Sequence, residues 1–163
     1  MGSWLPSPKG AVKLNTDASV TSGKVSGGGF LRDHEGKLIF AFYKEFGEVD
    51  VLTAESLALL HGLLFCNSGR VQRLLVEMDL AGLVQYWLLC NSLRQIRGLL
   101  RSFNAIAKHI FREANTTADK LATMGPQDDF FSMSLQHLLR EVRATLLLDS
   151  MAVPVVRTQG GRE

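Results

Sequence analysis

From Ala11 to Val20 the apolar residues Val12, Leu14 and Ala18 alternate with Lys13 and Asn15, the period of two that predicts a strand. A turn-prone stretch, Thr21-Ser22-Gly23-Lys24, leads into Gly27-Gly28-Gly29-Phe30-Leu31, a second strand, and Asp33-His34-Glu35-Gly36 reads as a hairpin turn. Leu38 to Tyr43 makes a third strand. Short turns can join only antiparallel neighbours, so the three form a meander.

The period changes after Val51. A segment with Thr53 as its N-cap, and with Leu57, Leu60 and Leu64 on one side, runs to Cys66 and stops at Asn67-Ser68-Gly69, the pattern of an amphipathic helix. Arg73 to Asp79 reads as a buried strand, parallel to the first because a helix intervenes. Helices over Ala81–Leu89 and Arg94–Ala105 follow, then a short strand over Lys108–Phe111 and a helix from Thr116 to Met124 ended by Gly125-Pro126. Met133 to Leu148 predicts a last helix with Leu135, Leu138, Leu139, Val142 and Leu146 inward, and Met151–Glu163 a tail without period. Trp87 and Phe103 read as core residues. The expected class is α/β, a five-stranded mixed sheet with helices packed on it.

Composition narrows the alternatives. The chain has 163 residues with 46% hydrophobic and 21% charged, and a net charge of +2, which fits one globular domain. No apolar run approaches the ~20 residues of a membrane span. Cys66 and Cys90 have no Cys/His spacing for zinc and are too few for a disulfide scaffold. Residues 1–10 lack the apolar segment of a secretory signal and the Arg/Ser richness of a transit peptide. The expected location is intracellular, nuclear or cytoplasmic, or an organelle if the chain is processed.

Charge is uneven. Bases outnumber acids seven to two between Arg70 and Arg112, whereas acids lead six to three between Arg32 and Glu55. Arg94, Arg97 and Arg101 recur at i, i+3 and i+7 and share a helix face. That face is either an ordinary solvated one or a contact for a phosphate backbone.

Most acids read as solvated charges, with Glu45, Glu48, Asp50, Asp128, Asp129 and Glu163 in turns or tails. Four do not. Asp17 lies inside the first strand, Glu55 in the first turn of the long helix, Asp79 at the end of the buried fourth strand, and Asp119 in the first turn of the helix after the last strand. The helix dipole alone favours acids at helix starts, but a carboxylate in a central strand needs a partner or a metal. Carboxylates drawn together raise one another's pKa. An all-oxygen set of this kind selects hard cations such as Mg²⁺ or Mn²⁺.

These residues carry a resemblance. Trp4-Leu5-Pro6-Ser7-Pro8-Lys9-Gly10 with Val12 to Ser19, Gly27 to Asp33, Ala54-Glu55 with Ala58-Leu59 and Gly62-Leu63, Val76-Glu77-Met78-Asp79 with Leu83-Val84, and His109 to Asn115 ending in Ala118-Asp119-Lys120-Leu121-Ala122 follow one another in order and spacing. Together they resemble the ribonuclease H family, in its plant, reverse-transcriptase-associated branch, over residues 4–124. Residues 133–148 would then be an appended C-terminal helix, whose Leu-rich face packs on the domain or meets a partner protein.

The resemblance implies strand order 3-2-1-4-5 with strand 2 antiparallel to the rest. It implies hydrolysis of the RNA strand of RNA–DNA hybrids with two Mg²⁺ ions, Mn²⁺ being an alternative. Asp17 would bridge the ions, Glu55 and Asp79 would hold one, and Asp119 the other. Ala18 and Ser19 would lie against the scissile ribose, and Arg112 rather than His109 would contact phosphate. Asn115 reads as a cap or turn former. Two departures from the family pattern stand out: Leu80 and Ala81 follow Asp79, and Val51, Leu52 and Thr53 precede Glu55, where the family carries polar residues that read the minor groove. They leave an alternative open, a nucleic-acid-binding or protein-interaction module that kept the fold without the activity.

Overall fold

The computed structural model of the chain describes residues 10–21, 23–68, 71, 73–78, 92–110, 115–123, 129–134, 136, 138 and 140–150. The expected helix over Ala81–Leu89, with Trp87, Cys90 and the positions Leu80 and Ala81, lies outside them, as do Asp79, Arg112, Gly125-Pro126 and the tail from Met151.

The meander forms as the alternation requires. Strands β1 (Val12–Thr21), β2 (Lys24–Arg32) and β3 (Leu38–Gly47) pair antiparallel in sequence order. Helix α1 (Val51–Ser68) then carries the chain to β4 (Leu74–Met78), which pairs parallel with β1. Helix α2 (Ser92–Ser102) leads to β5 (Ile106–His109), parallel to β4, and α3 (Thr116–Ala122) follows. A three-residue strand, β6 (Phe130–Ser132), pairs antiparallel with β3, and α4 (Arg140–Ser150) closes the described chain. The sheet order is β5-β4-β1-β2-β3-β6. It contains the expected order 3-2-1-4-5 and adds a sixth strand.

Several boundaries differ from the sequence expectation, each for a local reason. The first helix starts at Val51 because Asp50, not Thr53, is its cap: the Asp50 carboxylate accepts from the Thr53 amide and from its hydroxyl, both at 2.8 Å, the bond an N-cap makes to N3. Helix α2 stops at Ser102, where Asn104 takes a left-handed φ of 50°, so β5 begins two residues before Lys108. The last helix begins at Arg140, because Phe130-Phe131-Ser132 is spent on β6 and the Ser132 hydroxyl and the Ser134 amide close a turn at 3.0 Å.

The sheet has a core on each face. On one side α1 and α2 bring Leu59, Leu63, Cys66 and Ile96 against Leu14 and Val76, and Phe103 joins them as expected. Helix α1 is apolar nearly all round, so the inward face is set by size rather than by hydropathy. Ala54, Ala58, Leu59 and Leu63 are buried, while Leu57 is half-buried and Leu64 is exposed. Gly62 lets the helix settle onto Leu14, whose methyl would lie 3.0 Å from an added Cβ.

On the other side Ala118 and Leu121 of α3, Leu138 from the segment before α4, and Val142 and Leu146 of α4 pack against Phe30 and Ala41. The described apolar residues Val142 and Leu146 of the last helix therefore pack onto their own domain. Each of the Leu, Val and Phe side chains contributes roughly 1.5 to 3 kcal/mol when fully buried. Leu135 and Leu139 lie outside the described residues.

Asp129 and Glu45 are not idle surface acids. The Asp129 carboxylate accepts from the Glu45 amide at 2.9 Å and meets Lys44 at 3.6 Å, which pins the entry of β6 to β3. Cys66 is a free, buried thiol whose pKa burial pushes up to about 12, so it stays protonated and unreactive. Among the described residues no helix is long and apolar enough to cross a membrane.

Candidate active site

Alternation along β1 sends Leu14, Thr16 and Ala18 toward α1 and sends Lys13, Asn15 and Asp17 toward the α3 side. The first set touches the α1 layer: Leu14 and Thr16 line Gly62, and Ala18 clusters with Ala54. Asp17 is 8% exposed, so its carboxyl is withdrawn from water on the face where α3 packs.

Three of the four acids singled out by their positions meet here. The Ala18 amide donates to Asp17 Oδ1 at 2.9 Å and to Glu55 Oε1 at 3.3 Å, so one N–H is shared by acids from β1 and from α1. Asp17 also has Asp119 close enough to bond to it and to act on it as a charge. Burial is the main reason that the Asp17 pKa rises, to about 6 from 3.8. The Asp119 charge pushes the same way, while the Ala18 amide and a hydrogen bond with Glu55 oppose them. Neither Asp17 nor Asp119 is paired with Lys or Arg among the described residues.

Close approach of α3 to the sheet makes this meeting possible. Gly28 is the β2 residue opposite Asp17, and an added Cβ there would stand 2.6 Å from the Ala122 nitrogen. On the other face a Cβ on Gly27 would stand 2.8 Å from the Ala58 methyl. The glycine run thus serves helices on both faces of one strand. Asp119 sits in the first turn of α3 and is half-buried.

Asn115 corrects the expectation of a cap. It stands at the N-cap position with no side-chain cap bond. Its Nδ2 instead donates to the Thr16 carbonyl at 2.9 Å, and its Oδ1 accepts from Asn15 Nδ2 at 3.1 Å. Asn15 Nδ2 also donates to Glu77 Oε1 at 3.3 Å, and Glu77 pairs with Lys13 at 3.4 Å. All four side chains are buried. Sequence reasoning did not single out Lys13, Asn15 or Glu77. The available signal was that polar residues occupy strand positions beside Asp17 and Asp79.

The remaining expected residues divide. Ala18 lies at the acids, and half-buried Ser19 follows it along β1. Arg94, Arg97 and Arg101 are all exposed on α2, and no ion pair links them to the acids among the described residues. Val51 and Leu52 are 43% and 37% exposed one turn before Glu55, an apolar rim where groove-reading polar groups were missed. Arg112 and Asp79 lie outside the described residues, as does the side chain of His109, whose backbone is in β5.

The donor set is carboxylate oxygen only, partly desolvated, with mutual repulsion expressed at Asp17. That chemistry fits a hard divalent cation. As the side chains stand, no three His, Cys, Asp or Glu among the described residues are arranged to hold a metal ion. Glu55 is turned to the Ala18 amide.

Residues 15–125 match the family model described as reverse transcriptase-like. A curated Arabidopsis thaliana protein, whose name assigns it provisionally to ribonuclease H, is 30% identical over 148 residues; these cover 81% of this chain and 22% of that protein. The chain thus spans about a fifth of that relative's length. Among solved structures, the N-terminal RNase H domain of a Mycobacterium tuberculosis protein superposes with a TM-score of 0.63 at 20% identity, over 70% of this chain and 91% of that one. LC11-RNase H1, solved in complex with an RNA/DNA hybrid, gives 0.58 at 20% identity, over 68% and 92%.

Proposed function

Because the chain belongs to the reverse-transcriptase-like family and has the ribonuclease H fold, we propose that it is a metal-dependent endoribonuclease that hydrolyses the RNA strand of RNA–DNA hybrids. The observation that carries this reading is Asp17. A buried strand carboxyl, crowded by Glu55 and Asp119 and matched with no cationic side chain among the described residues, costs stability unless a ligand compensates.

Asp17, Glu55, Asp79 and Asp119 would hold two Mg²⁺ ions, or Mn²⁺. Such a pair, when bound, supplies the charge that activates a water and stabilises the leaving oxygen of a phosphodiester. Asp79 enters the set through the motif Val76-Glu77-Met78-Asp79, one of those that carry the family resemblance.

The chain's own groups do the rest. Asp17 must be ionised to serve, and burial together with the Asp119 charge opposes that in the metal-free chain. The Ala18 amide orients two of the acids, and the β1 segment at Ala18 and Ser19 would meet the ribose. Arg112 is the candidate for the phosphate, and Arg94, Arg97 and Arg101 present a basic face to the backbone of the duplex.

A second reading, a hybrid-binding or protein-interaction module without cleavage, is favoured by the exposed Val51 and Leu52. The test separates the two. Native protein with Mg²⁺ should cut a labelled RNA–DNA hybrid in the RNA strand, and Asp79→Asn should abolish cutting while circular dichroism stays unchanged. Hybrid binding without cutting under Mg²⁺ or Mn²⁺ would establish the module instead.

A further inference from the structure

The buried polar groups beside the acids form a connected set. Lys13 and Asn15 come from β1, Glu77 from β4 and Asn115 from the start of α3, joined by contacts of 3.4, 3.3 and 3.1 Å. Asn15 Nδ2 uses both of its hydrogens, one on Glu77 and one on Asn115. Asn115 then returns to β1 through the Thr16 carbonyl. The Asn15–Asn115 contact joins residues 100 positions apart, and Asn115 is 3% exposed.

The placement follows the acids. Asn15 is two residues before Asp17 on the same strand face, Glu77 is two residues before Asp79, and Asn115 is four residues before Asp119, one helical turn away. A helix of seven residues without a side-chain cap has little of its own to hold its start in place. Two hydrogen bonds from one side chain to β1 do so instead.

We propose that Asn115 is a positioning residue, which fixes the first turn of α3, and Asp119 with it, against the strand that carries Asp17. This rests on the metal-site reading above. Groups that orient metal ligands without touching the metal typically matter by 10- to 100-fold in metal affinity. Loss of Asn115 should therefore weaken the site out of proportion to its effect on the fold.

Ser26 supplies the control. Its hydroxyl donates to the Ala122 carbonyl at 2.6 Å and tethers the same helix at the end away from Asp119. Asn115→Ala and Ser26→Ala, each in the full chain, should both lower the melting temperature. Asn115→Ala alone should weaken Mn²⁺ binding, read by calorimetry without nucleic acid, by about tenfold or more. In the same variant, with no metal present, amide hydrogen exchange over Lys120–Thr123 should accelerate at least severalfold at constant pH. Equal Mn²⁺ affinity in Asn115→Ala, Ser26→Ala and native protein would overturn the inference and leave Asn115 a packing residue. A native chain that bound no Mn²⁺ at all would overturn the proposed function itself.

Discussion

Gly28 lies directly across the β1–β2 ladder from Asp17, and its missing side chain is the space into which the end of α3 descends. A methyl group there would meet the Ala122 nitrogen at 2.6 Å and the Leu121 carbonyl carbon at 2.7 Å. Both are backbone atoms that no rotamer can move. Gly28→Ala should therefore cost roughly 1 to 3 kcal/mol or more by overpacking, measured by urea unfolding, and should reduce Mn²⁺ affinity by lifting Asp119 from Asp17.

Asp17 sets a pH dependence of defined sign. Its folded pKa, about 6, lies above the ordinary 3.8, so between these values the folded chain binds more protons than the unfolded one. Stability is fully present below about pH 4 and declines as pH rises through 6. The penalty at pH 7.5 is on the order of 2 to 3 kcal/mol. Asp17→Asn, which keeps an acceptor for the Ala18 amide, should raise the melting temperature of metal-free protein at pH 7.5 by several degrees. At pH 4 it should change little. A variant less stable than native at pH 7.5 would contradict the assignment of Asp17 as a strained acid.

Divalent cations should reverse that penalty. Metal-free protein titrated with Mg²⁺ at pH 7.5 should gain stability as RT ln(1 + [L]/Kd), about 2.7 kcal/mol at a hundredfold excess over Kd, and EDTA should remove the gain. The same titration at pH 5, where Asp17 holds its proton, should give a much smaller shift. Asp17→Asn should give almost none at either pH.

The arginine face makes a separate prediction. Arg94, Arg97 and Arg101 stand on the exposed side of α2, away from buried Ile96. If they meet the hybrid backbone, replacing all three by Ala should weaken hybrid binding in low salt. It should also flatten the log–log salt dependence by about 0.9 for each phosphate that the variant no longer neutralises on a B-like duplex. Native and variant proteins with the same slope would remove this face from the binding surface.

What could be read from the sequence, and what could not, follows from the range of the interactions. The first three strands show in the alternation around Leu14 and in the turn at Asp33, whose carboxylate accepts from the Glu35 and Lys37 amides at 2.9 Å. Asp17 stands out because a strand interior is an unusual place for a carboxylate, and Glu55 and Asp119 stand out through the motifs around them, Ala54-Glu55 and Ala118-Asp119-Lys120. The strand β6 does not show, since three residues carry no period and its pairing with β3 is settled in three dimensions. Alternation identifies β1 but is silent on Lys13 and Asn15 being covered by a second layer, at 2% and 0% exposure. Asn115 looks local by position and acts a hundred residues away. An apolar circumference hides which way α1 faces, and the small residues Ala54, Ala58 and Gly62 decide it.

The seating of α4 on Phe30, Ala41 and Leu121 sets where the gene can be trimmed. A version stopped at residue 125, the limit of the family match, would keep Asp17, Glu55, Asp79 and Asp119 yet uncover those three side chains. Such a product should aggregate on expression, while one extended through Ser150 should purify as a well-behaved protein.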